Sequence, residues 1–158
     1  MVLVGIGSDD TTKDVEYIAK KILTLRVFDD SDGTMWKAGV KDIGGEVLSV
    51  SQFTLMANTT KGNKPDFHGA MSSASSREVY STFLKRLGEL YEPAKIKDGQ
   101  FGAMMSVSLA NEGPVTLQID SRKFEYVPID DSKPSKKARS GTTTPATPAE
   151  NAQSTTLN

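Results

Sequence analysis

Two short runs hold the groups most suited to chemistry, Ser51-Gln52-Phe53-Thr54 and Asn111-Glu112-Gly113-Pro114-Val115-Thr116. Ser51, Gln52 and Thr54 place two hydroxyls and an amide within four residues, on a stretch where Leu48 and Val50 share a face with Gln52 and Thr54. A polar group that continues an apolar face must find a hydrogen-bond partner or cost about 1–3 kcal/mol. Such groups therefore either bond neighbouring loops or line a pocket at the end of a strand. In the second run Pro114 removes a backbone donor, so the chain must leave any sheet there and present the bare peptide of Gly113. That corner is either a plain turn or a rigid, side-chain-poor tool.

Other candidates carry weaker signals. Thr59-Thr60-Lys61-Gly62-Asn63-Lys64-Pro65 supplies hydroxyls and two cations suited to a phosphate, and reads equally as a solvated loop. Phe101 and Met105, in Phe101-Gly102-Ala103-Met104-Met105, offer a ring and a soft thioether that fit either a purine or the core. There is no cysteine and the only histidine is His68. Thiolate chemistry, a multi-histidine metal site and any Ser/His/Asp arrangement not built on His68 are thereby excluded, and neither a metal nor a cofactor is expected.

The elements that must position these residues follow from periodicity. Val15, Ile18, Ala19, Ile22 and Leu25 recur at helical spacing after Asp10-Thr11, which predicts a helix capped there with Asp14 in its first turn. A second helix is predicted over 75–91, with Val79, Phe83, Leu87 and Leu90 on one stripe, a capping box of Ser75 and Glu78, and Pro93 beyond its end. Strands are expected at 2–6, 26–28, 46–56, 103–109 and 115–119, the third of them covered on both faces. Their alternation with helices gives an α/β or α+β class with a mixed sheet.

No apolar run approaches the ~20 residues that span a bilayer, so no membrane partner is expected. The first seven residues read as a strand rather than a secretory leader, and a cytoplasmic location is expected. Residues 132–158 carry Lys133, Lys136, Lys137 and Arg139 against Glu150, a net +3, which leaves residues 1–131 at −4 against −1 for the whole chain. This tail of Ser, Thr, Pro, Ala and Lys cannot bury enough surface to offset its ordering and is expected to be disordered, with one domain over 1–131. An acidic body suits contact with only a small piece of any nucleic acid.

Taken together, Ser-Gln-Phe-Thr at 51–54 and Asn-x-Gly-Pro-Val-Thr at 111–116 closely resemble the two signatures of the D-aminoacyl-tRNA deacylases. Gly44-Gly45 precedes the first, Lys61-Gly62 follows it, and Phe101-Gly102-Ala103 precedes the second; the resemblance covers about residues 2–122. It implies a curved mixed sheet or half-barrel carrying two main helices. It also implies a homodimeric hydrolase that cleaves the ester joining a D-amino acid, or glycine, to the 3′-terminal adenosine of tRNA.

In that family Gly113 and Pro114 would form a cis peptide that enters the partner's pocket. Their carbonyls would hold the substrate amino group, and an L side chain would strike the backbone. Asn111 and Thr116 would belong to the same substrate-binding loop, and Phe101 and Met105 would pack around the adenine. The ribose 2′-hydroxyl would assist hydrolysis, main-chain N–H groups of Phe53 and Thr54 would hold the oxyanion, and Ser51 and Gln52 would orient them. Thr54 as a covalent nucleophile is the older alternative. The family pattern also has two strands upstream with a Gln-Arg-Val motif, which implies an unpaired sheet edge and a less stable dimer here, and a carboxylate where Met104 stands. A second reading is a catalytically impaired dimeric binding module whose basic tail contacts DNA or chromatin.

Overall fold

The computed structural model describes residues 1–122, so the expected tail and the domain boundary at 131 lie outside the described residues. Element order is β1 (Val2–Val4), α1 (Thr12–Thr24), β2 (Val47–Ser51), α2 (Ser73–Leu90) and β3 (Ile96–Asp98), with 3-10 turns at Phe53–Met56 and Pro93–Lys95. The strands form an open, parallel sheet in the order β1-β2-β3, with Val4 opposite Ser51 and Ser49 opposite Asp98. The protein is thus an α/β fold.

Both helices pack on one face of this sheet. Their apolar stripes supply Ala19 and Leu23 from α1 and Tyr80, Phe83 and Leu87 from α2, which close on Val40 and Val47 as the buried core. Each buried Val, Leu or Phe side chain among them contributes roughly 1.5–3 kcal/mol relative to exposure. The opposite face carries Leu3 and Leu48, 40% exposed, but also Val50, which is buried, so β2 is covered on both sides only toward its end.

Thr11 caps α1 as the sequence predicts. Its hydroxyl accepts from the Lys13 N–H, and Asp14 accepts from the Thr11 N–H at 2.8 Å. That contact holds the Asp14 carboxyl below its ordinary value, first through the Thr11 backbone N–H. The capping residue of α2 is Ser72, not Ser75: its Oγ accepts from the Ser75 N–H at 3.4 Å. Several serines here are competent caps, and the choice is made upstream, where the Met71 N–H bonds the Ile6 carbonyl at 2.9 Å and fixes where the chain enters the helix.

The expected strand at 46–56 ends at Ser51 because β1, its partner, runs out. Gln52 N–H donates the last cross-strand bond, to the Val4 carbonyl at 2.7 Å, and the chain then winds into a 3-10 turn. Residues 26–28 contribute only a bridge between Phe28 and Ala38. Residues 103–109 and 115–119 have strand-like alternation but form no strand. Alternation specifies a strand only where a neighbouring edge offers ladder partners, and none of the described strands pairs with them. Conversely, β3 was not expected, because Ile96-Lys97-Asp98 has a single apolar residue; it pairs with Val47, Leu48 and Ser49.

Candidate active site

Because all three strands run the same way, the segments that follow them leave from one edge of the sheet. This is the edge outside which open parallel sheets bind ligands. The segments are 5–7 after β1, 52–56 after β2 and 99–105 after β3, and they contain Gln52, Phe53, Thr54, Phe101 and Met105, with Ser51 at the end of β2. Sequences far apart are thereby gathered by topology alone.

Gly5 makes the close approach possible. A Cβ there would stand 2.9 Å from Leu55 Cβ, 3.2 Å from Met56 Sδ and 3.4 Å from the Gln52 carbonyl oxygen, so only glycine lets the Phe53–Met56 turn fold over the end of β1. Within the turn, Gln52 Nε2 donates to Thr54 Oγ1 at 2.6 Å. The N–H groups of Phe53 and Thr54 open the turn and so have no acceptor inside it. Neither bonds another group among the described residues. Phe53 is 59% exposed and meets Phe67 edge-on at 5.1 Å.

No imidazole or carboxylate hydrogen-bonds Thr54 among the described residues. His68, exposed, pairs through Nδ1 with Asp66, and the same carboxylate accepts the His68 N–H, which with the ring contact holds Asp66 below its ordinary range.

Two residues before Ser51 on β2, Ser49 is fully buried and its Oγ accepts the Tyr80 hydroxyl at 3.0 Å. Burial pushes the Tyr80 hydroxyl up, with the Ser49 bond opposing it. Tyr80 in turn stacks on Phe101 at 5.6 Å, and the Arg77 guanidinium lies 4.6 Å above the Phe101 ring. Met105 lies over Gly99, its Sδ 3.3 Å from where a Cβ would be. Phe101 is half-buried against the core, whereas Met104 is fully exposed.

The second motif closes on itself. Asn111 Nδ2 donates to the Val115 carbonyl and to Thr116 Oγ1, both at 3.3 Å, bracing the corner between them. The Gly113-Pro114 peptide is cis, and Gly113 has φ +114°. A Cβ on Gly113 would sit 2.8 Å from Val115 Cγ2 and 2.9 Å from Val115 N. No hydrogen bond links this corner to Ser51–Thr54 among the described residues. One chain therefore gathers Ser51, Gln52, Phe53, Thr54, Phe101 and Met105 at the sheet edge, while Asn111, Gly113, Pro114 and Thr116 form a separate, exposed corner.

Sequence reasoning missed Gly5, Ser49, Arg77 and Tyr80. A glycine inside a strand pattern signals close backbone approach, which would have found Gly5. The other three had no local signal.

Residues 1–120 match the D-Tyr-tRNA(Tyr) deacylase family. The chain is 53% identical to the D-aminoacyl-tRNA deacylase of Saccharomyces cerevisiae over 77% of this chain and 81% of that one. It is also 53% identical to the enzyme of the same name from Drosophila melanogaster, over 76% and 75%. A solved structure titled c-Myc DNA Unwinding Element Binding Protein superposes with a TM-score of 0.72 at 48% identity, over 75% of this chain and 78% of that one. On the α/β fold, these matches define an ester hydrolase. The chain belongs to the D-Tyr-tRNA(Tyr) deacylase family.

Proposed function

We propose that this protein hydrolyses the ester of D-aminoacyl-tRNA, and of glycyl-tRNA, as a cytoplasmic homodimer that spares L-aminoacyl-tRNA. The observation that carries the chemistry is the turn at Phe53–Met56, whose first two N–H groups have no acceptor among the described residues and sit beside the end of the sheet. Two such donors suit a tetrahedral oxyanion, where fixed dipoles cost no reorganisation as charge develops. Gln52 holds Thr54 through its hydroxyl and so sets the turn's geometry; Ser51 anchors it to β2.

Thr54 Oγ1 is an acceptor for Gln52, and no base bonds it among the described residues, which favours the main chain and the ribose 2′-hydroxyl over Thr54 as nucleophile. In the dimer the Asn111-braced corner of one subunit enters the pocket of the other. Gly113 and Pro114 carbonyls receive the α-amino group, and the bare peptide leaves room for a D side chain or for glycine but not for an L side chain. The absence of a bond between that corner and Ser51–Thr54 within one chain leaves it available for this role.

Deacylation of D-Tyr-tRNA, L-Tyr-tRNA and Gly-tRNA by the purified protein tests the reading. Rapid loss of the D and glycyl esters with the L ester intact is expected; equal rates on D and L would remove the role of Gly113-Pro114. The solved relative titled as a DNA-unwinding-element binder supports a second reading, a DNA-binding dimer. Removal of residues 132–158 separates the two: the enzyme keeps its rate, whereas a tail-dependent DNA binder loses affinity and salt dependence.

A further inference from the structure

We propose that Arg77 is a positioning residue that holds a backbone phosphate of single-stranded RNA beside Phe101. The identity of the ligand as RNA rests on the deacylase reading; the site itself does not. Among the described residues, Arg86 spends its guanidinium on Glu16 and Glu89, and Arg122 on Asp120, while Arg26 is exposed and uncommitted but is seated on no aromatic ring. Arg77 bonds no carboxylate, is exposed, and keeps its whole donor fork available.

The Arg77 head is nevertheless placed rather than free-swinging. It rests 4.6 Å above the Phe101 ring, and one terminal nitrogen lies 3.9 Å from the Cβ position of Gly102, whose φ of +75° bends the chain away beneath it. A guanidinium seated on an aromatic face loses less freedom when it takes up an anion, and its planar fork matches two oxygens of one phosphate. An ammonium could offer only a point charge.

The seat is tied to the sheet-edge site by a continuous chain of contacts. Phe101 packs on Tyr80, the Tyr80 hydroxyl bonds Ser49, and Ser49 precedes Ser51 by two residues on β2. Phe101 and the Phe53–Met56 turn also follow parallel strands and so leave the same end of the sheet, which puts a phosphate held at Arg77 at the end that carries the candidate site. The surrounding charge argues for a local contact. Residues 1–122 carry 14 basic and 16 acidic side chains, a net −2 that repels an extended phosphate chain. Binding of a short single-stranded end then depends on a few well-placed cations.

The test uses full-length protein and two probes: an uncharged acceptor-stem RNA ending in a single-stranded CCA, and D-tyrosyl-adenosine, which has no phosphate. Arg77→Gln is expected to weaken RNA binding about tenfold and to lower the slope of log Kd against log salt by about 0.7, one single-strand phosphate contact. Arg77→Lys should restore most of the slope but not the affinity. For hydrolysis, Arg77→Gln should raise KM for D-Tyr-tRNA about tenfold while KM for D-tyrosyl-adenosine moves less than twofold.

Unchanged RNA affinity and slope in Arg77→Gln would overturn the proposal, as would equal losses on the two substrates, which mark a merely structural role. Because the binding arm needs no hydrolysis, a wild-type protein that binds the RNA through Arg77 but leaves the ester intact would sink the deacylase reading and uphold this one.

Discussion

Gly5 and Gly113 must both lack a side chain, for different physical reasons. At Gly113 the constraint is local: φ +114° and a Cβ within 2.8 Å of Val115 Cγ2 make any other residue strained in place. Holding an L residue there costs about 1–3 kcal/mol, and the corner would shift to relieve it. Gly113→Ala is therefore expected to lower kcat/KM on D-Tyr-tRNA by at least about tenfold, read by deacylation kinetics, while the melting temperature stays within a few degrees because the corner is exposed.

At Gly5 the constraint is tertiary. Gly5→Ala would push Leu55 and Met56 away and carry the Phe53 and Thr54 N–H groups with them. Activity should fall about tenfold or more with the circular dichroism spectrum retained. Gly113 was legible in the sequence because proline follows it. Gly5 lies in an apolar run that announces a strand; its being glycine signals a close approach there but not that Leu55 and Met56 make it.

At the scale of elements, α1 and α2 were readable because three- and four-residue spacing and caps are encoded locally. The strands were harder, since a strand is defined by its partner. Residues 46–56 are continuous as a pattern and yet divide at Gln52, where β1 has ended. Residues 103–109 and 115–119 alternate correctly and remain unpaired among the described residues, while Ile96–Asp98, with little pattern, pairs because the edge of β2 is there. The turn that carries the candidate oxyanion site was thus visible as a motif and invisible as a turn.

Tyr80 joins α2 to β2 by the buried bond to Ser49. Tyr80→Phe would leave the fully buried Ser49 hydroxyl without that partner, at about 1–3 kcal/mol. A chemical denaturation curve should show the midpoint fall with an unchanged slope. KM for D-Tyr-tRNA should rise as Phe101 and Arg77 loosen.

Over the whole molecule, the two helices are clasped by ions as well as by the core. Arg86 Nε and Nη2 bond Glu16 at 2.6 and 3.0 Å, Arg86 Nη1 bonds Glu89 at 3.0 Å, and Lys20 reaches Glu16 at 2.8 Å. Arg86, first, and then Lys20 hold the Glu16 carboxyl down from 4.5 to about 2. A carboxyl whose folded value is depressed adds stability that is fully present above its unfolded value and is lost as protons bind to the folded form. The clasp should therefore act fully above about pH 4.5 and fade as pH falls toward about 2. Melting temperatures of Glu16→Gln and wild type, measured from pH 7 to pH 2, should differ at neutral pH and converge at the acid end. A constant gap would show that Glu16 acts through packing alone.

That clasp, together with the parallel sheet, means that the two halves of the chain hold each other across the exposed loop at 58–70. β1, α1 and β2 precede the loop; α2 and β3 follow it. A single proteolytic nick after the exposed Lys61 would cut the backbone but neither the Glu16–Arg86 pairing nor the β2–β3 ladder. The two fragments should travel together through gel filtration and separate only in denaturant. The protein is in that sense two interlocking pieces that happen to be covalently continuous.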